Sequence, residues 1–289
     1  MRFVFRFLSL LPLWLVHALG AAVGVLAYRG SAVYRKRFLE NVRLSRLDAD
    51  SHAWLAHAAR HAGCMVAELP RLWMGASVSV HWDGAQLIDT AHALGKGVVF
   101  LTPHLGCFEI TPQAYAQRYA GEGRSITVLF RPPRKAWLNN VVTLSRNRAG
   151  LHTAPTTLSG VKTLLKALKS GQAVGLLPDQ VPPDGLGVWA PFYGREAYTM
   201  TLPARLAQQT GATLLLAWGE RLAGGRGFCV HVRPFAQTLS ANSSAAATQI
   251  NQAMEGLIAE CPEQYLWGYA RYKLPHAEPV AMRSDGGTA

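Results

Sequence analysis

The residues best suited to chemistry are His104 and Glu109, in the stretch VVFLTPHLGCFEI from Val98 to Ile110. The apolar run VVFL is typical of a short buried strand, and Thr102-Pro103 ends it. On one straight helix, side chains five residues apart would point about 140° away from each other. The two can meet only if His104 lies in the turn after the strand and Glu109 lies in the first turn of a following helix.

That arrangement would make a general base. A histidine oriented by a carboxylate can remove a proton from a hydroxyl, and Glu109 is expected to orient and stabilise the imidazole of His104. Backbone N–H groups at the start of the helix could stabilise an oxyanion. The spacing alone also fits a polar turn, but the carboxyl end of a parallel strand favours a site. Cys107 is an alternative nucleophile beside His104, although cysteine is more often a small buried filler.

The elements around these residues predict an α/β fold with a central, mostly parallel sheet flanked by helices, because strands alternate with helices along the chain. The predicted strands cover residues 78–82, 98–101, 126–130, 173–177, 213–218 and 229–232. The predicted helices cover residues 31–44, 51–69, 84–94, 137–148, 157–170, 201–209 and 245–259, with a further helix from the His104 motif to about 119.

Composition indicates an anionic partner. Of 289 residues, 49% are hydrophobic and only 16% charged, yet the formal net charge is +12. Residues 1–60 contain nine Lys/Arg against three Asp/Glu, and residues 121–170 contain nine against Glu122 alone. Such clusters suit a membrane surface, an acidic protein or a nucleic acid. The four cysteines are far apart and form no CxxC pair, so the sequence predicts no zinc site and no metal.

The N-terminal stretch from Phe7 to Tyr28 has 22 residues without a formal charge. Three interpretations compete: a cleaved signal peptide, a membrane-spanning helix, and a helix lying in the membrane interface. The basic cluster after the stretch (Arg29, Arg35, Lys36, Arg37) suits an anionic leaflet and would hinder export. We therefore expect an uncleaved N-terminal membrane-anchoring helix.

Several blocks resemble a known family. His104-x4-Glu109 resembles the H-x4-D/E motif of the glycerolipid acyltransferase superfamily, and its Glu form resembles the late acyltransferases of lipid A synthesis, which add lauroyl or myristoyl chains. Further blocks follow in the family's order and cover most of the chain: 129–132 (LFRP), Arg146 with Arg148, 177–180 (LPDQ), 189–194 (WAPFYG), 199–207, and 265–267 with 271–273. Ala270 departs from the pattern, standing where the family often has a second basic residue. The Glu-Gly-Thr-Arg block of the glycerol-phosphate branch is absent, which argues against that branch.

The resemblance implies an acyltransferase that needs no cofactor. The implied donor is acyl-[acyl carrier protein], and the implied acceptor is a hydroxyl of a lipid A precursor at the cytoplasmic face of the inner membrane. The basic segment 121–170 would suit an acidic carrier, with Lys162, Lys166 and Lys169 on one helix face as docking residues. Two alternatives remain: acyl transfer to another hydroxyl- or lyso-lipid, and a basic nucleic-acid-binding protein, whose usual motifs the sequence lacks.

Two more residues end predicted strands at the same sheet edge as His104. Arg131 could clamp a phosphate or carboxylate through two hydrogen bonds. Asp179 could orient Arg131, bind the acceptor, or simply begin a turn. By resemblance, Gln180, Arg146 and Arg148 join them as substrate-binding candidates. The chain divides into a membrane anchor with a basic helix (1–45), an acyltransferase domain (46–275) and a polar tail expected to be disordered (276–289).

Overall fold

The computed structural model describes residues 2–47, 52–130 and 148–276. Five helices come first: α1 (Arg2–Leu10), α2 (Leu13–Gly30), α3 (Ala32–Ser45), α4 (His52–Ala67) and α5 (Leu69–Met74). An α/β region follows: β1 (Val80–Asp83), α6 (Ala85–Ala93), β2 (Val98–Leu101), α7 (Ile110–Tyr119), β3 (Ile126–Phe130), β4 (Leu151–Pro155), α8 (Leu158–Lys169) and β5 (Ala173–Leu176). The remaining elements are β6 (Gly187–Phe192), β7 (Arg195–Met200), α9 (Leu202–Thr210), β8 (Thr213–Arg221), β9 (Phe228–Pro234) and α10 (Ser243–Glu260).

The central sheet has the order β1-β9-β8-β2-β5-β3-β4. Every neighbouring pair in it is parallel except β8 with β9. Strands β2 and β5 lie at its centre, and every residue of both is buried. Burial on both faces is what continuous apolar runs such as VVFL produce in a sheet covered by helices. The predicted α/β class with a mostly parallel sheet is therefore confirmed.

Strands β2 and β5 pair in a register that aligns Leu101 with Leu176. The ladder continues past the strand ends, because the N–H of Thr102 donates to the carbonyl of Leu176 at 3.0 Å. His104 and Asp179 each lie three residues beyond these aligned leucines. The register therefore brings the two side chains to the same point at the carboxyl edge of the sheet, where open α/β folds bind ligands.

The N-terminal helices pack against the α/β region. Phe38 and Val42 of α3 are buried in the main core, and Asn41 donates to the carbonyls of Trp267 and Tyr269 at 2.6 and 2.8 Å. Helix α2 lies antiparallel to α4, since Gly20 adjoins Cys64 and Gly24 adjoins Ala59. A Cβ on Gly24 would collide with the Ala59 carbonyl, so only glycine permits this close approach. The three-part division of the chain stays a prediction.

Local sequence explains the helix boundaries. Pro12 lacks an N–H and directly precedes α2, so the apolar stretch from Phe7 to Tyr28 is divided between α1 and α2. The side chain of Thr157 caps α8, accepting from the N–H of Gly160 at 3.4 Å, and Asn242 caps α10 through the N–H groups of Ser244 and Ala245. The predicted helix 137–148 and the tail 277–289 lie outside the described residues, apart from Arg148.

Candidate active site

His104 lies in the turn after β2 and is held from several sides. Its backbone carbonyl accepts from the N–H of Leu266 at 3.0 Å, and its N–H donates to the Asp179 carboxylate at 2.8 Å. The ring of Phe108 covers one side of the imidazole, with ring centroids 4.9 Å apart. The His104 side chain is only 15% exposed. An imidazole restrained in this way has a single orientation toward the open edge of the sheet.

The carboxylate that orients the imidazole is Asp179. Its Oδ1 lies 2.8 Å from Nδ1 of His104, while Oδ2 accepts the His104 N–H. At Nδ1 the structure therefore has Asp179 where the sequence analysis expected Glu109. Asp179 also lies in a turn, and a role for it in binding the acceptor stays a prediction. Both oxygens of the buried Asp179 are directed at His104. The pair has the form of a catalytic dyad, in which an aspartate fixes the tautomer and stabilises an imidazolium.

Charge and hydrogen bonding keep Asp179 ionised. Burial alone would raise the pKa of its carboxyl, but His104 and its two hydrogen bonds, with a contribution from Arg271, hold that pKa below its usual value. An ionised Asp179 accepts a hydrogen bond from the N–H at Nδ1 of His104, so the neutral ring has its lone pair on Nε2. That atom lies 3.1 Å from the side-chain nitrogen of Gln180. Nε2 is therefore the basic nitrogen, and Gln180 donates to it in this structure.

Glu109 occupies a different place. It is the N-cap residue directly before α7, one position ahead of the first helical turn in which the sequence analysis placed it, and is 5% exposed. Its Oε2 accepts a hydrogen bond from the indole N–H of Trp73 at 3.3 Å. A buried carboxylate at a helix N-terminus is stabilised by the helix dipole and can order the helix start beside the His104 turn. Its catalytic role stays a prediction.

Arg271 is a buried cation that lowers the pKa of Asp179, and it was not predicted as a site residue. It is 2% exposed, and its guanidinium donates to the carbonyl of Tyr198 and the hydroxyl of Thr199, each at 2.7 Å. Across the described residues it has no carboxylate within ion-pairing distance, so its charge acts on Asp179 through the low-dielectric interior. The only sequence signal was its position in the block 271–273.

The remaining predicted site residues are distributed as follows. Arg148 donates to the carbonyls of Leu72 and Trp73 at 2.7 and 3.2 Å and to Gln113 at 3.3 Å, so it fastens the end of α5. Arg131 and Arg146 lie outside the described residues, although β3 ends at Phe130 on the edge that carries His104. The predicted docking lysines Lys162, Lys166 and Lys169 are all exposed on α8, while Leu164 and Leu168 of the same helix are buried.

Other chemistries find less support in the described ranges. No group of three His, Cys, Asp or Glu side chains in residues 2–47, 52–130 and 148–276 is placed to hold a metal ion. Cys107 is 1% exposed, and burial raises the pKa of its thiol well above the usual value, which disfavours the nucleophilic thiolate. Of the aromatic residues in the block 189–194, Phe192 is buried in the core, whereas Trp189 is 42% exposed and its ring contacts that of Tyr198.

Comparison with known proteins gives the site its class. The sequence model of the family described as "Bacterial lipid A biosynthesis acyltransferase" matches residues 2–274. The chain is 25% identical over 272 residues to the lipid A biosynthesis palmitoleoyltransferase of Escherichia coli (strain K12), covering 91% of this chain and 86% of the relative. The lauroyltransferase of the same organism is 24% identical over 276 residues (91% and 87%), and the myristoyltransferase is 26% identical over 259 residues (86% and 77%). The chain belongs to the bacterial lipid A biosynthesis acyltransferase family.

Proposed function

We propose that this protein transfers a fatty acyl chain from acyl-[acyl carrier protein] to a hydroxyl of a lipid A precursor. The observation that carries the proposal is the His104–Asp179 dyad at the carboxyl edge of the sheet, in a chain of the lipid A acyltransferase family. The dyad supplies a base suited to activating a hydroxyl. The relatives' names supply the chemical class of the acceptor.

In the proposed reaction the acceptor hydroxyl takes the place of the Gln180 amide at Nε2 of His104. Nε2 removes the hydroxyl proton while the oxygen attacks the thioester carbonyl, and Asp179 stabilises the imidazolium that forms. The tetrahedral intermediate then collapses, the C–S bond breaks, and the imidazolium returns its proton to the leaving thiolate. We assign the oxyanion to the displaced Gln180 amide and to the N–H of Phe108, which has no hydrogen-bond acceptor in the part of the chain that the structure describes.

Lipid mass spectrometry tests the proposal directly. Lipid A from cells with and without this protein should differ by the mass of one ester-linked acyl chain. The purified protein should add the same chain to a lipid A precursor when given acyl-[acyl carrier protein]. If lipid A is unchanged while another lipid loses an acyl chain, the alternative acceptor, a hydroxyl- or lyso-lipid, replaces this one.

Membrane attachment is proposed to involve the outer face of α2. Leu13, Val16, Gly20 and Gly24 face the protein. The exposed Arg29 lies in the last turn, and the exposed positions from Trp14 to Ala27 are all apolar: Trp14, Ala18, Leu19, Ala22, Val23, Leu26 and Ala27. Within the described ranges α2 is the helix long and apolar enough to cross a membrane by length and composition. Helix α2 packs along α4, which carries the exposed Arg60. If α2 spanned the membrane, α4 and its charge would also lie in the bilayer, which is unfavourable. An in-plane helix on the inner membrane's cytoplasmic leaflet, flanked by basic residues of α1 and α3, avoids this cost.

Replacing Trp14, Val23 and Leu26 together by serine should release the protein from the membrane. These side chains are 57%, 62% and 68% exposed, so the substitutions leave the core intact. Each apolar side chain buried in the membrane contributes about 1.5–3 kcal/mol, so losing three should weaken partition of the protein into the membrane at least a hundredfold. Sedimentation with vesicles containing anionic lipid measures this.

Serine at Leu94, Leu158 and Leu274 is the matched control for the α2 substitutions, because these leucines are at least as exposed but lie outside α2. The control variant should sediment like the wild type. Equal loss in both variants would contradict the role of α2. A mature form beginning near Ala21 in the periplasm would contradict both the attachment and the carrier-bound donor.

The acidic carrier is proposed to dock on α8. Changing Lys162, Lys166 and Lys169 to glutamate should lower kcat/KM for the carrier-bound donor about tenfold at low salt and flatten its salt dependence, with kcat at saturation nearly unchanged. Rim charges mainly raise association rates, and their attraction is screened over about 8 Å at physiological salt. Initial rates at several salt concentrations measure this.

Glutamate at Lys96, Arg118 and Arg205 makes the same change of net charge at exposed positions outside α8 and should have little effect. A short-chain acyl thioester without the carrier separates docking from other roles. If the α8 variant lost equal activity with that donor, its lysines would serve the acceptor or the membrane instead.

A further inference from the structure

A buried ion pair lies directly behind the His104 turn. Arg221 is the last residue of β8, and its side chain is 2% exposed; Glu68, at the end of α4, is completely buried. The guanidinium binds the carboxylate through two parallel contacts: Nε to Oε2 at 2.9 Å and Nη2 to Oε1 at 2.8 Å. This bidentate geometry fixes the plane and the position of the guanidinium.

The other N–H groups of Arg221 also have defined acceptors. Nη2 donates to the carbonyl of Gly106 at 3.1 Å, and Nη1 lies 2.9 Å from Nδ1 of His61. Burial, followed by the charge of Arg221, lowers the pKa of His61 to about 3, so its ring is neutral and accepts this hydrogen bond. Glu68 also contacts His17 of α2 at 3.2 Å. The pair therefore joins the N-terminal helices, β8 and the turn that carries His104.

The Gly106 carbonyl is a sensitive point in that turn. Gly106 has φ +58, and a Cβ there would collide with the carbonyl of Gly219. Its N–H donates to the carbonyl of Gln264 at 3.0 Å, and the next N–H, of Cys107, donates to Gly219 at 2.7 Å. Arg221 supplies the contact on the carbonyl side. The backbone two residues after His104 is thus restrained through both of its polar groups.

Stability alone does not explain a charged pair in this place. Replacing a buried ion pair by apolar side chains of similar volume is often neutral or stabilising, because the desolvation of both charges offsets their attraction. An apolar pair could fill the volume, but it could not donate to Gly106. What the ion pair adds is a directed hydrogen bond to the turn.

We propose that Arg221, held in place by Glu68, is a positioning residue that fixes the Gly106 carbonyl and, through it, the orientation of His104. The inference rests on the proposed function, since it concerns the base of that reaction. Displacing a catalytic group by about 1 Å can cost a hundredfold in rate. Losing Arg221 should therefore reduce kcat while leaving substrate binding nearly unchanged.

The decisive variant removes both charges: Glu68→Gln with Arg221→Met. We expect it to melt close to the wild type, because no unpaired charge stays buried. Its kcat should still fall about a hundredfold with KM changed less than threefold. Hydrogen exchange at the Gly106 and Cys107 amides should be at least tenfold faster, while the amides of β2 stay protected.

Two further variants bracket this result. Arg221→Met alone leaves Glu68 charged and buried, so both melting temperature and kcat should fall. Ile88→Ala removes a buried side chain on α6, a different element from the turn, and provides a destabilised control whose kcat should stay normal below its melting temperature. The comparison separates loss of positioning from general loss of stability.

If the double variant had both the melting temperature and the kcat of the wild type, the pair would be purely structural and the proposal would be overturned. Normal exchange at Gly106 and Cys107 together with low kcat would also overturn it, because the turn would then be intact. Failure of the proposed function would look different: the wild type would show no acyl transfer, and the exchange measurement would still report whether Arg221 orders the turn.

Discussion

Replacing His104 by alanine is expected to abolish acyl transfer while leaving the fold intact. Its Nε2 is the basic nitrogen in the structure, and its ring contributes little to the core. A positioned general base typically contributes a rate factor of about 10²–10⁴, so the residual rate should be at most 1% of the wild-type rate. Steady-state rates with acyl-[acyl carrier protein], beside a thermal melt, measure the two effects separately.

Cys107→Ala is the matched control for this experiment. The thiol lies three residues away in the same turn, but it is buried and its raised pKa keeps it protonated. Removing one sulfur should cost little, and the rate should stay within about threefold of the wild type, as expected for a small buried filler. An inactive Cys107→Ala beside an active His104→Ala would refute the general-base mechanism.

Much of the frame around His104 could be predicted from local sequence. The run VVFL became β2 at Val98–Leu101, and the run from Ile126 became β3 with the expected ends. Both succeed because short apolar runs between turn residues are typical of buried parallel strands. The amphipathic pattern after Thr157 likewise gave α8 within one residue. These features depend on neighbours in the chain, which a single sequence contains.

The prediction failed where structure depends on partners far apart in the chain. Strand β4, with its weak pattern LHTAP, and the hairpin of β6 with β7 were not predicted as strands. The hairpin turn uses Tyr193 at φ +48 before Gly194, a conformation with little signal when a tyrosine occupies it. Glu68 and Arg221 are 153 residues apart, so no local spacing could pair them. His61 of α4 likewise reaches a residue far away in the chain, since its Nδ1 lies 2.9 Å from Nη1 of Arg221.

The partner of His104 shows this limit most clearly. Spacing favoured Glu109 because it is close in sequence, while Asp179 is 75 residues away. What decides between them is the register that aligns Leu101 with Leu176, a tertiary property of the sheet. The structure places Asp179 beside His104 at the carboxyl edge of the sheet. Only the structure distinguishes Asp179 from Glu109, because it places an oxygen of Asp179 2.8 Å from Nδ1 of His104.

Asp179→Asn is therefore expected to impair the general base more than the corresponding change at Glu109 does. Asparagine keeps the shape but offers an N–H where Nδ1 needs an acceptor, so the imidazole loses its fixed tautomer. In a Ser-His-Asp catalytic triad the same change lowers kcat by about 10⁴, and we expect a loss on the order of a thousandfold to ten-thousandfold here. Nitrogen NMR of the His104 ring, together with kcat, reports the tautomer and its consequence.

Glu109→Gln is the matched comparison, since it also replaces one buried carboxylate by an amide. The carbonyl of glutamine can still accept from the Trp73 indole, and Asp179 stays in place at Nδ1. Whatever rate this variant loses, the Nδ1–H tautomer of His104 should persist. If the tautomer instead changed in Glu109→Gln and persisted in Asp179→Asn, Glu109 would be the orienting carboxylate. The contacts favour Asp179, because it meets both the ring and the backbone N–H of His104, and a carboxylate bound twice to one residue has little freedom to serve another.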